Sequence, residues 1–117
     1  MDPKLRVVQE QVPGRQVTLA HSIANPGKDV LEKLEAQTGT KLPSGALGIM
    51  SLTPAEISVI AADLALKSAS VTLVLLDIQV GTLFFAGTVS EVDAALNGIL
   101  DCLANSMAFE VCPITRT

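Results

Sequence analysis

Few residues in this chain are equipped for catalysis, and their spacing does not bring them together. The one histidine, His21, lies in an alternating segment with no Cys, Ser or carboxylate motif beside it, so it reads as a structural side chain. Cys102 and Cys112 lack the short spacing of a metal-binding pair and read as two quiet thiols. The stretch GTKLPSG supplies glycines and Lys41, but no Gly-Lys-Ser/Thr follows, so it is not a phosphate-binding loop. No Ser-His-Asp order, HExxH motif or aromatic-framed carboxylate pair occurs. The chain is therefore not expected to be an enzyme, and no cofactor or metal is expected. Three charged positions stand out instead. Asp63 and Lys67 are spaced i, i+4 on a helical pattern and can pair. Asp77 opens the turn Asp77-Ile78-Gln79-Val80-Gly81. One role for its carboxylate is to accept bonds from the backbone of its own turn. Another arises if copies of the turn converge, because clustered carboxylates raise one another's pKa or recruit cations.

The elements that would position these residues are organised around Gly45 to Thr88. GALGIMSL, from Gly45, is short and apolar, as a buried strand is. Thr53-Pro54-Ala55-Glu56 has the pattern of a helix start: a hydroxyl cap, a first-position proline and a Glu able to close a capping box. The helix from Pro54 to Ser68 places Ile57, Ile60, Ala61 and Leu64 on a core face. Val59, Ala62, Leu66 and Ala69 make a second apolar stripe, which another subunit could cover. Val71 to Leu76 and Thr82 to Ala86 are strand-forming runs that the Asp77–Gly81 turn joins into a hairpin. Ser90 is expected to cap the last helix, with Glu91 and Asp93 in its first turn. Val92, Ala95, Leu96, Ile99 and Leu103 form its core stripe. Met107 to Ile114 reads as a closing strand that Pro113 places at a sheet edge, followed by a polar tail.

Upstream, Arg15 to Ala24 alternates as a strand, with Val17, Leu19, His21 and Ile23 sharing one side. Asn25-Pro26-Gly27 offers a helix cap and a first-position proline, and Val30, Leu31 and Leu34 mark a short amphipathic helix. Glu35 to Ser44 reads as a polar connector. Leu5 to Val12 reads as a short strand with poorly sorted faces, ended by Pro13-Gly14. A lone strand with two open edges needs a partner; the alternative is a disordered arm.

At 117 residues the chain suits one domain. Its apolar fraction is 49%, its charged fraction 17% and its mean hydropathy +0.47. That is high for a monomer this small, because small domains have much surface for their volume. No apolar run reaches the roughly 18 residues of a membrane helix, and MDPKLR does not read as a signal peptide. The surplus apolar surface is therefore expected to meet protein. A net charge of −4 and the lack of Trp and Tyr disfavour nucleic acid. Neither nucleic acid nor membrane is an expected partner.

The run GIMSLTPAEISVIAADLALKSASVTLVLLD, the glycine-containing turn and GTVSEVDAAL together resemble a bacterial microcompartment shell domain. Gly87, Val89, Val92 and Ala95 fit the G-x-V-x-x-V-x-x-A opening of that family's second helix, and Lys67 matches the lysine of its Lys–small–small segment. VQEQVPGRQVTLAHSIANPGKDVLEKL and the closing CPITRT resemble the circularly permuted subclass known from ethanolamine- and propanediol-utilisation compartments. The resemblance covers nearly the whole chain. It implies an α/β (α+β) fold with a four-stranded antiparallel, ferredoxin-like sheet flanked by helices. The permutation moves the segment equivalent to residues 1–34 from the end of the domain to its front. The division it implies is an N-terminal arm over residues 1–14 and one permuted shell domain over 15–117.

The same resemblance implies homohexameric tiles that pack edge to edge with other shell proteins around encapsulated enzymes. Such a cytoplasmic shell encloses a pathway that makes a volatile or toxic aldehyde, from ethanolamine, propanediol or choline. Lys67 would lie at the hexamer rim, and Asp77, Ile78, Gln79, Val80 and Gly81 at the central opening. Leu5, Val7, Val8, Gln9, Glu10, Gln11 and Val12 of six copies would form a small barrel over the axis, which removes their open edges. The sequence departs from the subclass at two places: Gln11 replaces an aromatic residue, and Ile78, Gln79 and Val80 replace a common basic–aromatic pair. These departures leave room for an open, screw-like assembly beside the closed ring. A competing expectation is a small-molecule-binding oligomeric regulator of ferredoxin-like layout. It would need basic phosphate contacts in a mobile loop, and Glu35 to Ser44 offers only Lys41.

Overall fold

Alternating apolar residues decide where the chain becomes sheet, and small residues decide how closely helices approach it. A computed structural model of the protein describes residues 14–117. The elements in chain order are β1 (Gln16–Ala24), α1 (Lys28–Thr38), β2 (Ala46–Thr53), α2 (Ile57–Ser68), β3 (Thr72–Asp77), β4 (Thr82–Gly87), α3 (Val89–Ser106) and β5 (Thr115–Arg116). The sheet order is β3-β4-β2-β1-β5. The first three pairings are antiparallel, and β5 runs parallel to β1. The expected four antiparallel strands are present, and β5 adds a fifth at the edge.

That fifth strand lies later than the sequence indicates. Residues 107–114 do not form the closing strand. Ala108 turns the chain with a φ of 58°, and Phe109 N–H bonds back to Leu103 O at 3.0 Å. This folds the segment across the end of α3 and buries Phe109 in the core. Glu110 then makes only an isolated bridge to Gln16, and pairing with β1 resumes beyond Pro113. The expected polar tail is thus the strand.

The main core lies between one face of the sheet and helices α2 and α3. Met50, Leu52, Leu83 and Phe85 of the sheet meet Ala61, Ala62 and Ala65 of α2 and Val92, Leu96, Ile99 and Leu103 of α3. On the opposite face, Leu47, Val74 and Ala86 pack with Leu42 and with Leu31 and Leu34 of α1. A β-bulge between Val17 and Leu19 corrects the expected facing of β1. The extra residue moves Leu19 out of phase, so Val17, Ala20 and Ser22 are buried and Leu19 is exposed.

Helix starts also differ from their sequence signals. No capping box forms at Thr53, which is the last residue of β2. The amides of Ile57, Ser58 and Val59 bond instead to the carbonyls of Pro54, Ala55 and Glu56, a tight turn that satisfies the donors a cap would serve. Thr88, not Ser90, caps α3: its Oγ1 accepts Glu91 N–H at 3.1 Å. Asn25 does not cap α1, whose N-cap residue is Gly27. That helix continues through Thr38 and ends on Gly39, which takes a left-handed φ of 72°. The connector is correspondingly shorter than expected.

Candidate assembly site

Exposed apolar residues stand out on the surface of the described residues. On α2, Ser58, Ala61, Ala62 and Ala65 face the core, while Val59, Ile60 and Leu66 face outward. Ile60 is therefore corrected from core to surface, and Ser58 takes an inward place. Ser58 suits the position because its Oγ donates to Ala55 O at 2.7 Å, which removes the cost of burying a free hydroxyl. Ala62, expected on the outer stripe, is also buried.

The β3–β4 turn is the second exposed region. Asp77 Oδ1 accepts the amides of Gln79 and Val80 at 2.9 and 3.1 Å. Asp77 O accepts Gly81 N–H at 2.8 Å. The carboxylate therefore caps its own turn, the first of the two roles open to it. Gly81 has a φ of 86°, and a Cβ there would collide with Leu52 O. Glycine is required both by conformation and by contact. With the turn so fixed, Ile78 and Val80 project from it, 55% and 70% exposed.

Lys67 lies at the last turn of α2, where its charge complements the helix dipole. Its Nζ is 2.7 Å from Asp63 Oδ2, and both side chains are largely exposed. The hydrogen bond that Lys67 donates to Asp63, then the negative charge of that carboxylate, raises the Lys67 pKa above the ordinary lysine value. Solvent screening makes this pair a small contributor to stability. Lys67 lies on α2, and the Asp77–Gly81 turn lies between β3 and β4. The barrel residues Leu5, Val7, Val8, Gln9, Glu10, Gln11 and Val12 lie outside the described residues.

His21 is held by the end of the chain. Its Nδ1 is 2.6 Å from Thr115 Oγ1 and its Nε2 is 2.8 Å from Thr117 Oγ1. Thr115 Oγ1 also donates to Ala20 O at 3.4 Å. Both nitrogens are engaged in tying β5 to β1. Nearby, Arg116 Nε lies 3.4 Å from Asp93 Oδ1. That buried oxygen has no hydrogen-bond partner, so the guanidinium compensates its charge without a bond. Sequence reading missed both links, because β5 itself carried no strand signal. Cys102 and Cys112 are free. Among the described residues, no group of three or more His, Cys, Asp or Glu side chains could hold a metal, and no helix is long and apolar enough to cross a membrane.

Residues 46–115 match the BMC domain. The microcompartment shell protein PduU of Salmonella typhimurium strain LT2 is 47% identical over 112 residues, covering 96% of this chain and 93% of that protein. A solved flat hexamer of CutR matches with a TM-score of 0.82 and 39% identity, over 96% of this chain and 92% of that one. CutR in a screw form with a 41.9 Å pitch matches with a TM-score of 0.81 and 39% identity, over 90% of this chain and all (100%) of that one. The BMC match leaves out β1 and α1, although β1 lies within the sheet between β2 and β5. A strand that is spatially internal but sequentially outside the domain match fits a circularly permuted domain.

Proposed function

This chain belongs to the BMC-domain family of bacterial microcompartment shell proteins, and on that premise we propose that it works as a structural tile whose copies close into hexamers. The tiles pack edge to edge, with one another and with other shell proteins, around enzymes of an aldehyde-producing catabolic pathway. The wall they form restricts the escape of metabolites. Residues 15–117 act as one permuted shell domain, and residues 1–14 as an arm whose strand from Leu5 to Val12 pairs with its copies over the axis. Lys67 sits at the rim, and Asp77, Ile78, Gln79, Val80 and Gly81 surround the central opening.

The fit of nearly the whole chain to a subunit of a flat hexamer carries this reading. The outward-facing Val59, Ile60, Leu66, Ile78 and Val80 agree with it, since apolar surface of this kind is stabilised by meeting protein. The screw form of a relative favours a second mode of assembly from the same subunit. Native mass spectrometry with electron microscopy of the full chain tests both. Six-copy rings that extend into sheets are expected; helical filaments would select the screw. A monodisperse single copy at high concentration would refute assembly altogether.

A further inference from the structure

The side chains that project from the β3–β4 turn carry no charge. Ile78 and Val80 are exposed, and Gln79 between them is a neutral amide. Asp77 is the turn's only ionisable residue, and its Oδ1 is turned back onto the amides of Gln79 and Val80. Gly81 holds the far side of the turn in place through its left-handed backbone and its carbonyl, which accepts Leu52 N–H at 2.8 Å. Ile78 and Val80 are β-branched and have few rotamers through which to withdraw.

Given the reading that this turn surrounds the axis, we propose that six copies form an apolar neck that admits small uncharged molecules and excludes ions. Apart from the neutral Gln79 amides, the neck supplies nothing to replace the hydration of a carboxylate, a phosphate or an inorganic ion. Narrow apolar passages exclude such solutes by dewetting, and an unpaired charge costs far more to desolvate than a neutral polar group. The Asp77 carboxylates, set behind the apolar tips, repel anions further. A cation drawn toward those carboxylates still has to shed water beside Ile78 and Val80.

Crystals of the assembled full chain test the neck directly. They are pressurised with xenon or soaked in rubidium bromide, and each probe is located by anomalous scattering. Xenon and bromide are of similar size, so the comparison isolates charge. Xenon is expected between the Ile78 and Val80 side chains, with neither rubidium nor bromide in the neck. Val80→Lys, at an exposed position, is expected to lose the xenon and gain bromide. Val80→Thr, which stays uncharged, is expected to keep bromide out. Bromide or rubidium in the parent neck, or a neck that takes no xenon, overturns the apolar gate while leaving the axial placement standing. Turns found away from the axis in the same maps overturn the axial placement, and the gate with it.

Discussion

Gly81 joins two constraints in one residue. Its φ of 86° is unfavourable for any side chain, and a Cβ would collide with Leu52 O. Gly81→Ala is expected to cost about 1–3 kcal/mol, read as a lower urea midpoint of the full chain. An unchanged midpoint would mean that the turn rearranges freely. At Asp77 the test separates capping from charge. The two amides need an acceptor at Oδ1 and not a negative charge. Asp77→Asn is therefore expected to keep the parent midpoint, whereas Asp77→Ala loses about 1 kcal/mol. If Asn were as damaging as Ala, the charge itself would be responsible. The turn was legible in the sequence because Asp and Gly are the residues such a turn requires. Leu19 was misread because a bulge leaves no signature in apolar alternation, and Ile60 because the helical pattern fixes a stripe without saying which side faces the sheet.

At the scale of elements, local signals failed where a competing partner satisfied the same groups. Thr53, Pro54 and Glu56 have the spacing of a capping box, but carbonyls of the preceding turn take the early amides of α2. Ser90 has a capping side chain, but Thr88 stands where β4 ends and reaches Glu91 first. Glu91 in turn accepts Ser70 N–H at 2.8 Å, which binds the start of α3 to the end of α2. The strands and the α3 core stripe were legible because their burial follows their apolar period. β5 was not, since its two residues are polar and its side-chain ties reach back to His21, far away in sequence. Replacing His21 with Ala removes the partner of both Thr115 and Thr117. Hydrogen exchange is expected to quicken at Thr117, whose amide bonds to Ser22 O at 2.9 Å. Amides between β2 and β4 should hold their protection. Uniform loss across the sheet would show that His21 supports the whole fold and not this edge.

For the whole molecule, the question is whether the exposed end of α2 serves the fold or the lattice of copies. Lys67 and Asp63 form a solvent-exposed pair, which contributes little to the folded chain. If the pair is the reason for the lysine, Lys67→Ala and Asp63→Asn have the same consequence. If Lys67 acts at the rim, the two variants diverge. Lys67→Ala is then expected to leave hexamers intact by native mass spectrometry and to abolish extended sheets by electron microscopy. Asp63→Asn frees the ammonium for the neighbouring tile and is expected to preserve the sheets. Normal sheets from Lys67→Ala would remove the residue from the rim. Loss of hexamers in that variant would place it between subunits of one ring. The divergence matters because an isolated subunit satisfies this ion pair without a neighbour, so only the behaviour of assembled copies separates a helix-surface contact from a contact between tiles.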